Sequence, residues 1–522
     1  MSMKLRELIR EVRQCKSASA ERAVIAKELA NIRTAIKDKN QLEYRHRNVA
    51  KLMYCDMLGY PTHFGQMEVL KLLASKPFVE KRLGYLALMQ LLDENTEVLM
   101  LATQSLKQDM CHENPFVVGL ALCAMGNIAS TDISRDLGRE LEKLLKHSNP
   151  YIRKKALCTA IRVIQRVPEM SEEYFKSALI TLEDSGQGHG PMVAAAQLLY
   201  AICSKRGKLC RKLKKYSTHI ISRLSSLLRS SYDPDHDIGG VTDPFLQVYL
   251  LKLLRLVSVG DKKLSDDVDS TLAQIATNTE SNKNPGNSIL YECVRTIMSI
   301  EKQSSLHVLA INILGRFLVN RDNNVRYVAL NALCNAVTSN TDAIQRHRNT
   351  IVECLKDADL TIRKRSLDLI YALVNKKNIR SLARDLLNFL TISNTTTSTV
   401  DTSSEPSPSK EDDSKLSKKD KKRSKKEKKK EKEIVLTPKS EDGKPVFINA
   451  SSLSQPELEF RQELASKICM VVERYAPNRK WHIDTIIQVM TTTTSTGFNR
   501  EQEVISNLFI LVSNSVSLQA YC

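Results

Sequence analysis

The side chains best suited to ligate a metal ion occur together in one short segment: Asp233, Asp235, His236 and Asp237. Carboxylate oxygens and imidazole nitrogens are common ligands of divalent cations. The segment runs into Gly239 and Gly240 just before a helix start, a context in which acidic residues bond the backbone of a turn. We therefore interpret it as a turn, and the sequence predicts no metal site.

Two further motifs could in principle support catalysis. The run at residues 186–191 (GQGHGP) is rich in glycine but lacks the preceding strand and the Lys-Ser/Thr ending of phosphate-binding loops, so we expect a turn between helices. Cys111 and His112 could supply a nucleophile and a base, but neighbours in sequence rarely face each other as those roles require. There is no HExxH or GxSxG motif. We predict a protein that is not an enzyme and needs no cofactor.

The segment from Tyr44 to Lys51 carries the most suggestive charge pattern. Arg47 and Lys51 are four residues apart, which places both on one face of a helix. Two cations in this arrangement can hold a phosphate group between them. The alternative is a solvated basic face, which is common on helices.

Length and composition indicate a helical repeat protein. With 522 residues the chain exceeds what one hydrophobic core usually serves, so it divides into domains or extends as an array. Hydrophobic residues make up 42% and aromatic residues only 5%, which favours stacked helices. The 17 Gly and 15 Pro are too few for a chain of many β-turns.

Several features predict a cytosolic protein. No uncharged apolar stretch reaches the length of about 18 residues that a membrane helix needs, and residues 1–13 carry charges where a signal peptide would be apolar. The 12 Cys are scattered without a CxxC pair, so we expect small buried thiols in a reducing compartment rather than disulfides or metal ligands.

The net charge of +19 predicts a negatively charged partner. Residues 410–433 contain 13 Lys or Arg against 7 Asp or Glu, so most of the positive charge lies elsewhere in the chain. A folded body this basic is attracted to an anionic membrane surface or to nucleic acid.

A recurring pattern of proline, aromatic and aliphatic residues marks helix starts at four places: 77–79 (PFV), 115–117 (PFV), 150–152 (PYI) and 244–246 (PFL). Proline suits the first turn of a helix, and Asn114 and Asp243 precede it as N-cap candidates. Variants without proline occur at residues 324–327 (NVRY) and 360–363 (LTIR). Close neighbours are about 35 to 40 residues apart, the period of HEAT-type helix pairs. We therefore predict an all-α fold, a curved right-handed superhelix of HEAT/armadillo-like hairpin repeats, or α-solenoid.

The repeat pattern is interrupted once. Ser, Thr and Pro and then Lys and Glu dominate residues 393–456, which cannot bury enough apolar surface to fold, so we predict a disordered insert there. A nuclear-localisation or nucleic-acid-binding tail is the alternative interpretation of this lysine-rich tract. The predicted domains are a solenoid trunk over 1–392, the insert over 393–456 and a continuation of the solenoid over 457–522. The last residues resemble the middle of a helix, so we expect the solenoid to be truncated.

Several long strings resemble the adaptin family, and within it the gamma-adaptins, large subunits of the heterotetrameric clathrin adaptor complex of the trans-Golgi network and endosomes. They are residues 4–10 (KLRELIR), 47–52 (RNVAKL), 58–61 (LGYP), 63–66 (HFGQ), 81–86 (KRLGYL), 242–248 (TDPFLQV), 310–318 (AINILGRFL) and 480–486 (KWHIDTI). Together they span nearly the whole chain apart from the insert.

The resemblance implies three kinds of site. Arg45, Arg47 and Lys51 match the family's phosphoinositide-binding cluster, which prefers phosphatidylinositol 4-phosphate. Arg13 matches the position that pairs with the acidic residue ahead of a dileucine sorting signal in cargo.

Met67 and Leu70 match an apolar surface that the family presents to a GTP-bound Arf-family GTPase; leucine is the more usual residue at the position of Met67. The resemblance also implies the other subunits of the heterotetramer as partners, namely a large beta, a medium mu and a small sigma subunit. Clathrin contact is expected only through a hinge and appendage that are absent from these residues.

The sequence therefore favours a scaffold that recruits sorting-signal cargo for vesicle-mediated transport. It would be cytoplasmic and peripheral on the cytosolic face of trans-Golgi, endosomal and clathrin-coated vesicle membranes. The alternative is a HEAT-repeat nuclear transport receptor or nucleic-acid-binding scaffold that uses the basic body and the lysine-rich tract.

Overall fold

The computed structural model describes residues 3–38, 44–184, 186, 188–229, 235–260, 262–279, 283–300, 304–338, 341–392, 454–493, 501–513 and 516–519. It divides the chain into two compact units, Met1–Ile313 and Leu314–Cys522. The boundary between the units falls inside one helix, α17.

Unit 1 is built from helices, which in chain order are α1 (Leu5–Gln14), α2 (Ala18–Lys37), α3 (Arg45–Met57), α4 (Gln66–Leu73), α5 (Phe78–Leu91), α6 (Thr103–Met110), α7 (Pro115–Ile128), α8 (Thr131–Leu145), α9 (Pro150–Arg166), α10 (Ser171–Glu183), α11 (His189–Lys205), α12 (Gly207–Leu213), α13 (Ser217–Arg229), α14 (Pro244–Ser258), α15 (Lys262–Asn278), α16 (Asn284–Ser299) and the first part of α17 (Ser304–Leu318). Short 3₁₀ turns lie at His63–Gly65, Glu97–Ala102, Pro168–Met170 and Lys214–Tyr216. A two-residue antiparallel hairpin, β1 (Asp237–Ile238) with β2 (Val241–Thr242), precedes α14.

Unit 2 continues with α18 (Asn323–Ala336), α19 (Thr341–Gln345), α20 (Arg348–Glu353), α21 (Leu360–Leu373), α22 (Ile379–Ile392), α23 (Gln455–Tyr475), α24 (Arg479–Thr493), α25 (Glu501–Ser513) and α26 (Val516–Gln519), with a 3₁₀ turn at Cys354–Lys356. Helices α21, α22 and α24 all pack against α23. The prediction of an all-α fold is confirmed for the described residues, because their regular secondary structure is helical apart from the two short strands.

The predicted helix starts are explained by capping. Asn114 accepts a hydrogen bond from the Phe116 N–H at 2.9 Å, and Asp243 accepts one from the Leu246 N–H at 3.0 Å, so both predicted N-caps are confirmed. Pro115, Pro150 and Pro244 each occupy the first position of their helices. Pro77 differs, because it is the N-cap residue and α5 begins one residue later.

Helices from successive hairpins of unit 1 pack side by side. Helix α9 lies between α7 and α11, and α14 lies between α11 and α16. Buried threonines join neighbouring helices: Thr159 on α9 donates to the Leu122 carbonyl of α7 at 2.8 Å, and Thr296 on α16 donates to the Leu251 carbonyl of α14 at 3.3 Å. Each hairpin thus covers the apolar stripe of the next, as the repeat pattern predicts.

The core consists mainly of Leu, Ile, Val and Ala side chains. Cysteines follow the prediction of burial only in part. Five of them are buried, namely Cys55, Cys203, Cys293, Cys354 and Cys469, whereas Cys111 and Cys158 are exposed. In α18, Leu330 and Leu333 are buried, as expected for the apolar face of a helix.

The segments that connect the helices follow the predictions only in part. The glycine-rich run was predicted as a turn, but His189, Gly190 and Pro191 form the first turn of α11. Residues 393–453 of the predicted insert lie outside the described residues, and α23 begins at Gln455, just inside the range assigned to the insert. The division into 1–392, 393–456 and 457–522 otherwise stays a prediction.

Candidate functional site

Helix α3 positions the N-terminal basic cluster. Val49, Leu52 and Cys55 recur every three residues and are fully buried, because α3 packs against α1, α2, α4 and α5. This packing also removes other parts of the helix from solvent, including Asn48 and Lys51. Helix α3 therefore exposes only a narrow face.

Lys51 lies in a buried ion pair. Its Nζ is 2.7 Å from Oε1 of Glu28 on α2, and the two side chains are 1% and 2% exposed. The nearby thiol of Cys55 has its pKa raised to about 11, first by burial and then by the Glu28 carboxylate. The environment is thus poor in water. Arg47 and Lys51 therefore do not lie together on an exposed face, because Lys51 points into the protein and is paired there, and the assignment of both to a phosphate site stays a prediction.

Arg45 is also paired, although closer to the surface. Its Nε lies 2.8 Å from Oε2 of Glu68 on α4, and Glu68 also accepts a hydrogen bond from Lys71 at 2.5 Å. The small cleft beside Arg45 and Asn48 has a volume of about 10 Å³, which is room for about one water molecule rather than a phosphate. This cleft therefore does not accommodate a phosphate group.

Arg47 is the member of the cluster that presents its charge to solvent. Its side chain is exposed, and its guanidinium lies 4.9 Å from the ring centroid of Tyr44, which is also exposed. No carboxylate of the described residues is within ion-pairing distance of it. A solvent-facing guanidinium held over an aromatic ring is available to contact an anion.

Arg13 lies in the last turn of α1 and is exposed. Leu8 and Val12 anchor the opposite face of α1, and α1 packs on α2 and α3. A cation in this last turn is favoured by the negative end of the helix dipole. The side chain is therefore presented to solvent on the same group of helices as Arg47.

Met67 and Leu70 are three residues apart on α4 and share a face. Met67 is 49% exposed and Leu70 is half-buried, while Val69, Leu72 and Leu73 hold α4 against the core. Glu68 of the same helix binds Arg45 of α3, so α4 carries both the apolar pair and the carboxylate partner of Arg45.

A buried polar network next to this surface was not predicted from the sequence. Lys81 on α5 lies 2.8 Å from both carboxylate oxygens of Asp109 on α6 and donates to the Leu73 carbonyl at 2.9 Å. Tyr85 donates to the same carboxylate at 2.6 Å, and burial followed by this hydrogen bond raises its pKa. The spacing of Lys81 and Tyr85 at four residues is the only signal in the sequence, since Asp109 lies on a different helix. The network fixes α4, α5 and α6 together.

The acidic segment before α14 forms a turn, as predicted for the part that is described. Asp237 accepts a hydrogen bond from the Gly240 N–H at 2.9 Å, and Asp243 caps α14. Asp233 lies outside the described residues. Within the described ranges no group of three or more His, Cys, Asp or Glu side chains is arranged to hold a metal ion.

Across the described parts of the chain, no helix combines the length and the apolar character that crossing a membrane requires.

Comparison with known families gives one match that covers most of the chain. The family described as the adaptin N terminal region matches residues 21–405. The chain is 47% identical over 521 residues to AP-1 complex subunit gamma of Dictyostelium discoideum, which covers 100% of this chain and 50% of that protein. It is 43% identical over 519 residues to AP-1 complex subunit gamma-2 of Arabidopsis thaliana, with 99% and 52% covered. Human AP-1 complex subunit gamma-like 2 is 38% identical over 520 residues, with 100% and 58% covered. The chain spans about half the length of the curated relatives it matches.

Two structures share the architecture. A homology model of the full-length AP-3 complex in an intermediate open conformation contains a chain with a TM-score of 0.51 and 21% identity, covering 91% of this chain and 76% of that one. A crystal structure of importin beta gives a TM-score of 0.53 and 12% identity, covering 97% and 60%. At these identities the likeness concerns the fold alone, and it confirms the predicted HEAT-type α-solenoid.

Proposed function

Because this chain belongs to the adaptin family, we propose that it forms the trunk of a large subunit of a clathrin-associated adaptor complex that acts in vesicle-mediated protein transport at trans-Golgi and endosomal membranes. The observation that carries the proposal is the likeness to gamma subunits of AP-1 complexes over essentially all of the chain. In this role the chain turns over no substrate and requires no cofactor. It holds partners in place.

The partner subunits in this proposal are a large beta, a medium mu and a small sigma subunit. A solenoid suits such assembly because its long surfaces stay available after the repeats have covered one another. The whole would be cytoplasmic and peripheral on the cytosolic face of the membrane. Attraction of a basic body to anionic lipid supports that placement.

The membrane contact of this proposal is a phosphatidylinositol 4-phosphate site centred on Arg47. The exposed guanidinium beside Tyr44 supports it. Arg45 contributes only if it leaves Glu68, and Lys51 supports the site from beneath by holding α3 against α2. The resemblance, by contrast, implies a lipid-binding cluster formed by Arg45, Arg47 and Lys51 together.

Two further contacts complete the proposal. Arg13 pairs with the acidic residue of a dileucine-type cargo tail, and its exposure at the end of α1 supports that role. Met67 and Leu70 contact a GTP-bound Arf-family GTPase through the apolar face of α4. Lipid, GTPase and cargo would each bind weakly, and their joint engagement by one chain would supply the avidity.

The test is vesicle co-sedimentation of the chain co-expressed with its candidate partner subunits, with and without phosphatidylinositol 4-phosphate. Arg47→Glu should abolish the lipid-selective part of binding, whereas Lys143→Glu, an equal charge change at an exposed position of α8, should preserve it. Lys51 is left unchanged, since a second carboxylate facing Glu28 would disturb folding. Binding that is unselective, or that Arg47→Glu leaves intact, would refute the lipid site.

A nuclear transport or nucleic-acid-binding scaffold remains the competing function. Salt weakens both kinds of binding, but only the adaptor discriminates between phosphoinositide head groups and generic polyanions. If DNA and phosphatidylinositol 4-phosphate vesicles compete equally well for the chain, the result would favour the nuclear transport or nucleic-acid-binding function.

A further inference from the structure

A second basic surface lies on α12 and the 3₁₀ turn that follows it, far along the chain from Arg47. Its cations are spaced at three, four and seven residues, so they share one helical face. We call this face the α12 strip and define it by four residues: Lys208, Arg211, Lys212 and Lys215. All four side chains, three lysines and one arginine, are exposed.

The orientation of the strip is fixed by the opposite face of α12. Leu209 and Leu213 are 3% and 0% exposed and hold the helix against the core. Cys210 donates a hydrogen bond from its Sγ to the Leu256 carbonyl on α14 at 3.5 Å. Because the apolar side of α12 is anchored in this way, the four cations face solvent.

The strip is poor in compensating negative charge. No Asp or Glu occurs between Asp184 and Asp233, whereas nine Lys or Arg do. Among the described residues, the carboxylate that pairs with the strip is Glu172 of α10, 2.7 Å from Lys212. Both side chains of this pair are more than half exposed, so water competes with it. The contrast with Lys51 and Arg45, whose charges are matched inside the protein, is clear.

The composition of the strip favours one kind of occupant. Lysine ammonium groups are strongly hydrated point charges, suited to diffuse attraction by a charged surface rather than to bidentate recognition. Single-stranded nucleic acid binding combines cations with several exposed aromatic platforms, whereas the one aromatic residue of α12 and its 3₁₀ turn is the half-buried Tyr216. Clusters of four to eight Lys or Arg on an amphipathic helix are typical of contacts with anionic phospholipid.

We propose that the α12 strip is a second membrane contact, which binds anionic phospholipid head groups such as phosphatidylserine through summed charge and without selectivity for a phosphoinositide. It acts independently of the site at Arg47. Two separate contacts on unit 1 would hold the chain on a charged membrane more tightly than either contact alone.

The experiment uses the full chain and phosphatidylcholine vesicles with and without phosphatidylserine, in the absence of phosphoinositide. One variant combines Lys208→Gln, Arg211→Gln and Lys215→Gln and spares Lys212, which is paired. The matched control combines Arg135→Gln, Arg139→Gln and Lys143→Gln, three exposed cations of α8, where acidic residues alternate with basic ones. Circular dichroism and the melting temperature verify that both variants are folded.

The strip variant should bind phosphatidylserine vesicles at least about tenfold more weakly than the parent chain, and the control should stay within about twofold, because each lost cation near the surface reduces binding several-fold. Arg47→Glu should bind these vesicles like the parent chain. If the strip variant and the control variant lose vesicle binding equally, the proposal is overturned, because the net charge of the chain would then explain the binding.

A DNA fragment provides the arm that distinguishes the occupants. If the parent chain does not bind phosphatidylserine vesicles but binds DNA, and the strip variant loses DNA binding, the membrane proposal is overturned and the occupant is nucleic acid. Either result leaves the test of the phosphatidylinositol 4-phosphate site untouched, since that test depends on Arg47 and on a different lipid.

Discussion

The two basic regions of unit 1 look alike in sequence and differ in structure. Both place cations four residues apart on a helix, at Arg47 and Lys51 on α3 and at Lys208 and Lys212 on α12. In the first region Lys51 is buried and forms an ion pair with Glu28 of another helix. In the second region every cation of the strip remains exposed. Helical spacing determines which side chains share a face, but the acidic residues of neighbouring helices determine which of them keep their charge available.

The largest effect is expected when the buried pair is broken. Lys51→Ala leaves the Glu28 carboxylate buried without its ammonium partner, which should lower the free energy of unfolding by about 3 to 5 kcal/mol. Hydrogen exchange should show the loss of protection concentrated in α2 and α3. Arg47→Ala on the exposed face is the control, and it should change little. Equal effects of the two substitutions would remove the distinction between buried and exposed cations.

A smaller effect is expected in the neighbouring network. Tyr85→Phe removes the hydrogen bond to the Asp109 carboxylate and leaves Lys81 in place, so it should cost about 1.5 to 3 kcal/mol of unfolding free energy. Chemical denaturation monitored by circular dichroism measures it. The control is Tyr371→Phe on α21, because Tyr371 is exposed and does not belong to this network. If both changes are silent, the hydrogen bond from Tyr85 to Asp109 contributes nothing measurable to stability.

The smallest effect is expected in the α12 strip itself. Lys212→Ala removes an ion pair whose partners are both largely in water, so the melting temperature should not change measurably. The pKa of Glu172, lowered by its hydrogen bond with Lys212, should return towards its ordinary value, which NMR titration can follow. A clear drop in melting temperature would show that the strip is a structural element rather than a free charged surface.

The local features of the fold could be predicted from the sequence because their causes are local. Asn114 and Asp243 cap helices through residues only two or three positions away. The buried stripe of Leu330 and Leu333 follows directly from helical periodicity. The repeat spacing then predicted how the hairpins pack.

The partners of Lys51 and Lys81 could not be predicted in this way. Glu28 is 23 residues from Lys51 and Asp109 is 28 residues from Lys81, so each pair depends on how separate helices meet. The resemblance to adaptins named Arg45, Arg47 and Lys51 together, but only the packing of α2, α3 and α4 separates the exposed Arg47 from its paired neighbours. The sequence alone does not establish the α12 strip, because the burial of Leu209 and Leu213, which turns its cations towards solvent, depends on the packing of α12.

The most direct test of the account replaces the buried pair without leaving a charge behind. The double variant Lys51→Met with Glu28→Leu fills the same space with apolar side chains, which is often neutral for stability. In vesicle co-sedimentation with phosphatidylinositol 4-phosphate, the account predicts that this folded variant binds like the parent chain while Arg47→Glu does not. Loss of lipid binding by the folded double variant would contradict it and would return Lys51 to the lipid site.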